Sequence, residues 1–147
     1  MTESDARDEI CRVGRSLFDR GYVYATAGDI SVRLDDGYLI TPTDACLGFQ
    51  QPRQLARIDR DGRQVGGYKA SKTLALHRRI YESTRGFPAA PRCVLHTHST
   101  HCVALTHEAH GEELLPTITP YYLMTVGRVP LDADQFEHLR VQFGARW

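Results

Sequence analysis

Val94-Leu95-His96-Thr97-His98-Ser99-Thr100-His101 sets three imidazoles within six residues, directly behind a short apolar run. In a strand, side chains two apart share a face, so His96 and His98 are expected to project side by side. His101 falls just beyond, where the strand should turn into the next element. Two or three convergent neutral imidazoles are good ligands for Zn²⁺ and its neighbours in the transition series. A single histidine in such a strand would read as a packed core residue. The downstream histidines, His107, His110 and His138, have no ligand context of their own.

Working outward, Ile10, Val13, Leu17 and Phe18 recur at helical spacing and predict a helix over Glu9 to Arg20, stopped by Gly21. Ala25-Thr26-Ala27-Gly28-Asp29 is small and flexible and reads as a loop. Ile30 to Leu34 alternates like a strand, Asp35-Asp36-Gly37 reads as a hairpin turn, and Tyr38 to Ile40 as the returning strand. Ala56 to Asp59 and Arg63 to Val65 predict a second hairpin. Ser71 is the expected N-cap of a helix through Tyr81, whose Leu74, His77, Ile80 and Tyr81 share a face. On that face His77 reads as packing rather than as a ligand. Pro88 to Pro91 is a connection, Cys93 to His98 the metal-candidate strand, and Thr100 to Leu105 the start of a helix. Residues Leu114 to Val129 mix strand-like residues with Pro116 and Pro120. No internal repeat or linker interrupts the chain, so residues 1–147 read as one layered α/β or α+β domain.

Composition removes several classes of function. Eighteen Lys and Arg balance 18 Asp and Glu over 147 residues, so no global field favours nucleic acid or a membrane surface. The basic residues are scattered among acids rather than interleaved with aromatics. No apolar run approaches a membrane span, and the polar, acidic start Met1-Thr2-Glu3-Ser4-Asp5 is unlike a secretory signal. Cys11, Cys46, Cys93 and Cys102 form no Cys-x-x-Cys motif and read as reduced thiols of a cytoplasmic protein.

Four motifs then occur in order: Thr26-Ala27-Gly28-Asp29-Ile30-Ser31-Val32-Arg33, Leu39-Ile40-Thr41-Pro42-Thr43, Ala70-Ser71-Lys72-Thr73 and His96-Thr97-His98-Ser99-Thr100-His101. Together they resemble the class II aldolase/adducin family, above all its 3-oxo-tetronate 4-phosphate decarboxylase and sugar-phosphate aldolase branch. The resemblance runs from about Arg7 to about Pro130. It implies a three-layer α/β/α fold with a central, mostly antiparallel sheet, a homo-oligomer (usually a tetramer) and a divalent metal, most often Zn²⁺. Carried over by motif, His96 and His98 would ligate the metal. Gly28, Asp29, Thr43, Asp44, Ser71 and Lys72 would fall at the phosphate and substrate loops. Tyr121 would handle a proton, with Thr73 and His101 as possible additions. The chemistry suits these residue types. Losing CO₂ from a 3-oxo acid, or retro-aldol cleavage, leaves an enolate whose charge a Lewis acid stabilises. A phosphate needs small residues, hydroxyls, a cation and a helix start.

Three positions depart from the family pattern. Asp29 stands where Asn is usual, and an ionised carboxylate cannot donate to phosphate and repels it. Thr73 stands where many relatives have Glu, and threonine has no useful pKa for proton transfer. Residues 131–147 lack the family's later His-His-Gly segment, so a shortened or frameshifted member is expected, with an exposed sheet edge. The expected activity is a metal-dependent lyase acting on a sugar-acid phosphate or sugar phosphate. The alternative is a non-catalytic, adducin-like assembly domain or an inactive homologue.

Overall fold

Alternation along Asp29–Leu34 (β1) decides how the layers stack. Ile30 and Val32 turn to one face, where they meet Ala6, Ile10, Val23, Leu39, Leu47 and Leu55 in one core. Asp29, Ser31 and Arg33 turn to the other, towards His77 and Tyr81. The computed structural model describes residues 2–87, 90–101, 103 and 104. The chain divides into two units, residues 1–99 and 100–147. In the second unit Thr100, His101, Val103 and Ala104 are helical, as expected. Tyr121, residues 114–129 and residues 131–147 lie outside the described residues, as do Cys102, Leu105 and part of the 88–91 connection.

In the first unit β1 pairs antiparallel with Gly37–Ile40 (β2) through a two-residue turn, in register Leu34 with Gly37. Ala56–Asp59 (β3) and Gln64–Gly66 (β4) form the second hairpin, and Cys93–His96 (β5) pairs with the other side of β1. The sheet has five strands in the order β4-β3-β2-β1-β5, every neighbour antiparallel. Glu3–Asp19 (α1) covers one face. Leu74–Ser83 (α2) covers the other, where Leu74 packs on Ile40, Ala56 and Ile58. The first unit is therefore helix, sheet and helix in three layers, the expected α/β/α arrangement.

Two helix starts differ from the sequence reading. Helix α1 begins at Glu3 rather than Glu9 because Thr2 and Asp5 form a reciprocal cap. The Asp5 N–H donates to Thr2 Oγ1 at 3.1 Å, and the Thr2 N–H to Asp5 Oδ2 at 2.8 Å. Such a cap contributes about 1 kcal/mol, and the small Ala6 in the first turn left no apolar signal to extend the pattern. The far end stops at Gly21 as expected, with φ +74° and the Tyr22 N–H reaching back to Leu17 O. Helix α2 begins at Leu74, with Thr73 rather than Ser71 at its cap. Ser71 is held in an extended crossing, its N–H on Thr41 O at 3.1 Å beside the Pro42–Ala70 bridge, so the chain turns helical only afterwards.

Candidate active site

The register of β1 against β5 sets Asp29 directly opposite His96. Asp29 is the first residue of β1 rather than the end of a loop. From that pairing His96 donates Nδ1–H to Asp29 Oδ2 at 3.1 Å. On the same face of β1, Asp29 and Ser31 lie two apart; on the facing side of α2, His77 and Tyr81 lie four apart, one helical turn. The two spacings mesh. His77 Nδ1 lies 2.6 Å from Ser31 Oγ, and Tyr81 Oη lies 2.8 Å from that oxygen and donates to Ser31 O at 3.0 Å. His77 Nε2 lies 2.5 Å from Asp29 Oδ1. The approach is short but too bent for a linear hydrogen bond, and no other hydrogen-bond partner reaches either buried atom among the described residues. Distance and burial leave each of these atoms only the other as a close polar neighbour.

Asp29, Ser31, His77 and Tyr81 are all buried, His77 and Ser31 completely. Burial alone would raise the Asp29 pKa. The close approach of His77, the hydrogen bond from His96 and the nearby Thr73 hydroxyl outweigh it and hold the carboxyl well below the usual carboxylate range. Burial pushes the Tyr81 hydroxyl up to about 12, so it remains a donor. His98 lies beyond the end of β5, yet its ring stays beside that of His96, with centroids 4.7 Å apart and planes tilted by 56°. Burial, and then the neighbouring His96, lower the His98 pKa, which favours the neutral, ligating imidazole.

Gly28 explains how β5 comes so close. Its φ is +83°, and a Cβ there would lie 2.9 Å from His96 O and 2.9 Å from Val23 Cγ1. Gly28→Ala is expected to cost about 1–2 kcal/mol for the left-handed backbone alone, with the clash added. Urea unfolding would measure it, and an unchanged midpoint would contradict this account of the crossing.

The phosphate-loop residues fall into two groups. Ser71 and Thr73 share a hydrogen bond at 2.8 Å and lead to Asp29 through the Thr73 hydroxyl. Thr43 and Asp44 line a cavity of about 680 Å³ with Cys46, Gln50, Tyr68 and Lys69, large enough for a small ligand. The histidines do not line that cavity. Lys72 and Asp44 approach to 4.0 Å at the exposed surface, a separation at which water and salt screen the pair. Asp44 itself takes φ +54°. His101 belongs to the second unit and is exposed.

Sequence reading assigned His77 to packing and gave Ser31 and Tyr81 no site role. The available signal was a histidine on an apolar helix face, which needs a buried partner; Asp29 and Ser31 are that partner. The donor set suits a divalent cation: two adjacent imidazoles, one of them held by a buried carboxylate. Among the described residues no group of three His, Cys, Asp or Glu is arranged to hold a metal ion, so a full coordination shell needs more than these residues bring together.

Fold and site together define a class II aldolase-like domain. The chain matches the class II aldolase and adducin N-terminal domain over residues 8–145 and belongs to that family. It is 55% identical over 132 residues to the 3-oxo-tetronate 4-phosphate decarboxylase of Cupriavidus necator, covering 88% of this chain and 59% of that protein. It is 31% identical over 121 residues to the L-fuculose phosphate aldolase of Methanococcus maripaludis, covering 82% of this chain and 63% of that protein. Among solved structures, YgbL from Klebsiella pneumoniae, described as a putative aldolase/epimerase/decarboxylase, superimposes with a TM-score of 0.77 at 33% identity, over 100% of this chain and 73% of that one. The chain thus spans about three fifths of the length of the curated relatives it matches. Among the described residues no helix is long and apolar enough to cross a membrane.

Proposed function

We propose that this chain acts as a metal-dependent carbon–carbon lyase on a phosphorylated sugar acid, decarboxylating a 3-oxo-tetronate 4-phosphate; aldol cleavage of a related sugar phosphate is the same chemistry on a neighbouring substrate. The observation that carries the reading is the His96–His98 pair, with His96 tethered to a buried carboxylate, in a chain 55% identical to a decarboxylase of that name. His96 and His98 would hold the divalent cation, for which Zn²⁺ is the best match to two imidazoles. Once bound, the cation supplies a Lewis acid for the negative charge that develops on a substrate oxygen as the carbon–carbon bond breaks.

The remaining residues bind and orient. The Lys72 ammonium, the Ser71 and Thr43 hydroxyls and the first turn of α2 offer donors to a phosphate, with Gly28 permitting close approach. A phosphate at Lys72 would displace the loose contact with Asp44. Asp29 has both oxygens engaged by imidazoles and serves the histidines rather than the phosphate. Thr73 contributes a hydroxyl and no titrating group, so proton transfer falls to Tyr121, with His101 a further candidate. Assembly as a homo-oligomer and residence in the cytoplasm, where Cys11, Cys46 and Cys93 would stay as the free thiols observed, complete the reading.

The test is metal analysis of the purified chain by mass spectrometry, followed by CO₂ release from a 3-oxo-tetronate 4-phosphate. Stoichiometric metal with turnover supports the lyase. Absence of both would overturn it and leave a non-catalytic role in assembly.

A further inference from the structure

We propose that Asp29 is a positioning residue for the metal-candidate pair: its carboxylate fixes His96 as the Nδ1–H tautomer, which leaves the Nε2 lone pair to act as ligand. This rests on the metal-dependent reading above. An ionised carboxylate only accepts hydrogen bonds. The His96 Nδ1 at 3.1 Å must therefore present a hydrogen to it. A neutral imidazole that carries its proton on Nδ1 has its one free lone pair on Nε2.

Asp29 is itself held from behind. His77 is completely buried and anchored at its other nitrogen by Ser31 Oγ, which Tyr81 Oη approaches in turn. The chain Tyr81–Ser31–His77–Asp29–His96 runs from the core between α2 and β1 to the exposed end of β5. Every member except His96 is buried. Rigid support of this kind holds a ligand's ring orientation as well as its tautomer. Carboxylates that support a metal-binding imidazole from its far side typically change metal affinity 10–100-fold when removed. An amide at this position would present one acceptor and one donor group instead of two acceptors. With the amide nitrogen turned towards His96, the Nδ1–H form would be left without its acceptor.

The experiment uses the full chain and the near-isosteric Asp29→Asn variant, with two readouts. The first is nitrogen-15 NMR of the metal-free protein, which reports the tautomer of His96. The expected result is a single Nδ1–H species in the native chain and a mixture, or the Nε2–H form, in D29N. The second is the affinity for Zn²⁺ alone, from competition with a chromophoric chelator, expected to fall about 10–100-fold in D29N. Native His96 in the Nε2–H form would overturn the proposal without any variant. So would D29N binding Zn²⁺ as tightly as the native chain. If the native chain binds no Zn²⁺ while its His96 is the Nδ1–H tautomer and loses it in D29N, the metal reading fails and the positioning stands.

Discussion

His96→Ala is expected to abolish stoichiometric Zn²⁺ retention and to lower kcat/KM for CO₂ release at least about 10³-fold, while the chain stays folded. The size follows from the Lewis-acid role in the proposed lyase. Several kcal/mol of transition-state charge stabilisation depend on the cation, and each 1.36 kcal/mol is a factor of about ten in rate. Folding should survive because the His96 side chain is 30% exposed at the end of β5. Its removal leaves Asp29 one donor short but still paired with His77, a loss of about 1–3 kcal/mol for an under-satisfied buried group. His96→Asn separates the two roles. Its amide can still donate to Asp29, yet it lacks the imidazole nitrogen, so stability should partly return while metal retention and turnover do not. Native-like metal content and rate in His96→Ala would sink the assignment of this pair.

The strands were legible because their signal is local. Period-two alternation in Ile30 to Leu34 and in Ala56 to Asp59 marked which residues face which layer, and the acidic and glycine turns marked the hairpins. Pairing order was not legible. That β5 joins the sheet beside β1, rather than beyond β4, depends on register across 67 residues between Asp29 and His96. Hydrophobic periodicity carries no information about such long-range pairing. The helix starts were misplaced for a related reason: a polar cap at Thr2 and Asp5, and the crossing at Ser71, are decided by single hydrogen bonds rather than by pattern.

The metal-candidate histidines announced themselves by spacing, but the group beneath them did not. Asp29 and Thr73 looked like two independent departures, one a repulsive charge near phosphate and the other a lost carboxylate. In space they are neighbours: the Thr73 hydroxyl helps hold Asp29 ionised. A glutamate at 73 would instead set a second negative charge against a buried carboxylate, which like-charge repulsion opposes. The buried cluster therefore keeps one carboxylate, carried by the strand rather than by the helix start. Each residue taken alone reads as a separate change; in the fold the two are coupled.

The second large effect falls on stability. His77→Leu is expected to lower the unfolding free energy by about 3 kcal/mol, the upper end of the cost of leaving a buried acceptor without its partner. Leucine fills much of the volume, so the loss reflects Asp29 and Ser31 Oγ stripped of their contacts rather than a void. Asp29→Asn should cost less on its own, because the amide carries no charge to strand. The double variant should be more stable than the sum of the two single losses by about 1–3 kcal/mol, since no buried carboxylate is then left without its neighbour. Acid sharpens the same test. The folded-state pKa of Asp29 is depressed, so its stabilisation is fully present above the unfolded carboxyl value of about 4 and is lost as pH falls below it. Urea midpoints of the native chain should therefore drop between about pH 5 and pH 3 by more than those of D29N. A His77→Leu penalty below about 1 kcal/mol, or parallel acid profiles for native and D29N chains, would show that α2 is held on the sheet by its apolar contacts at Ile40, Ala56 and Ile58 and not by this pair.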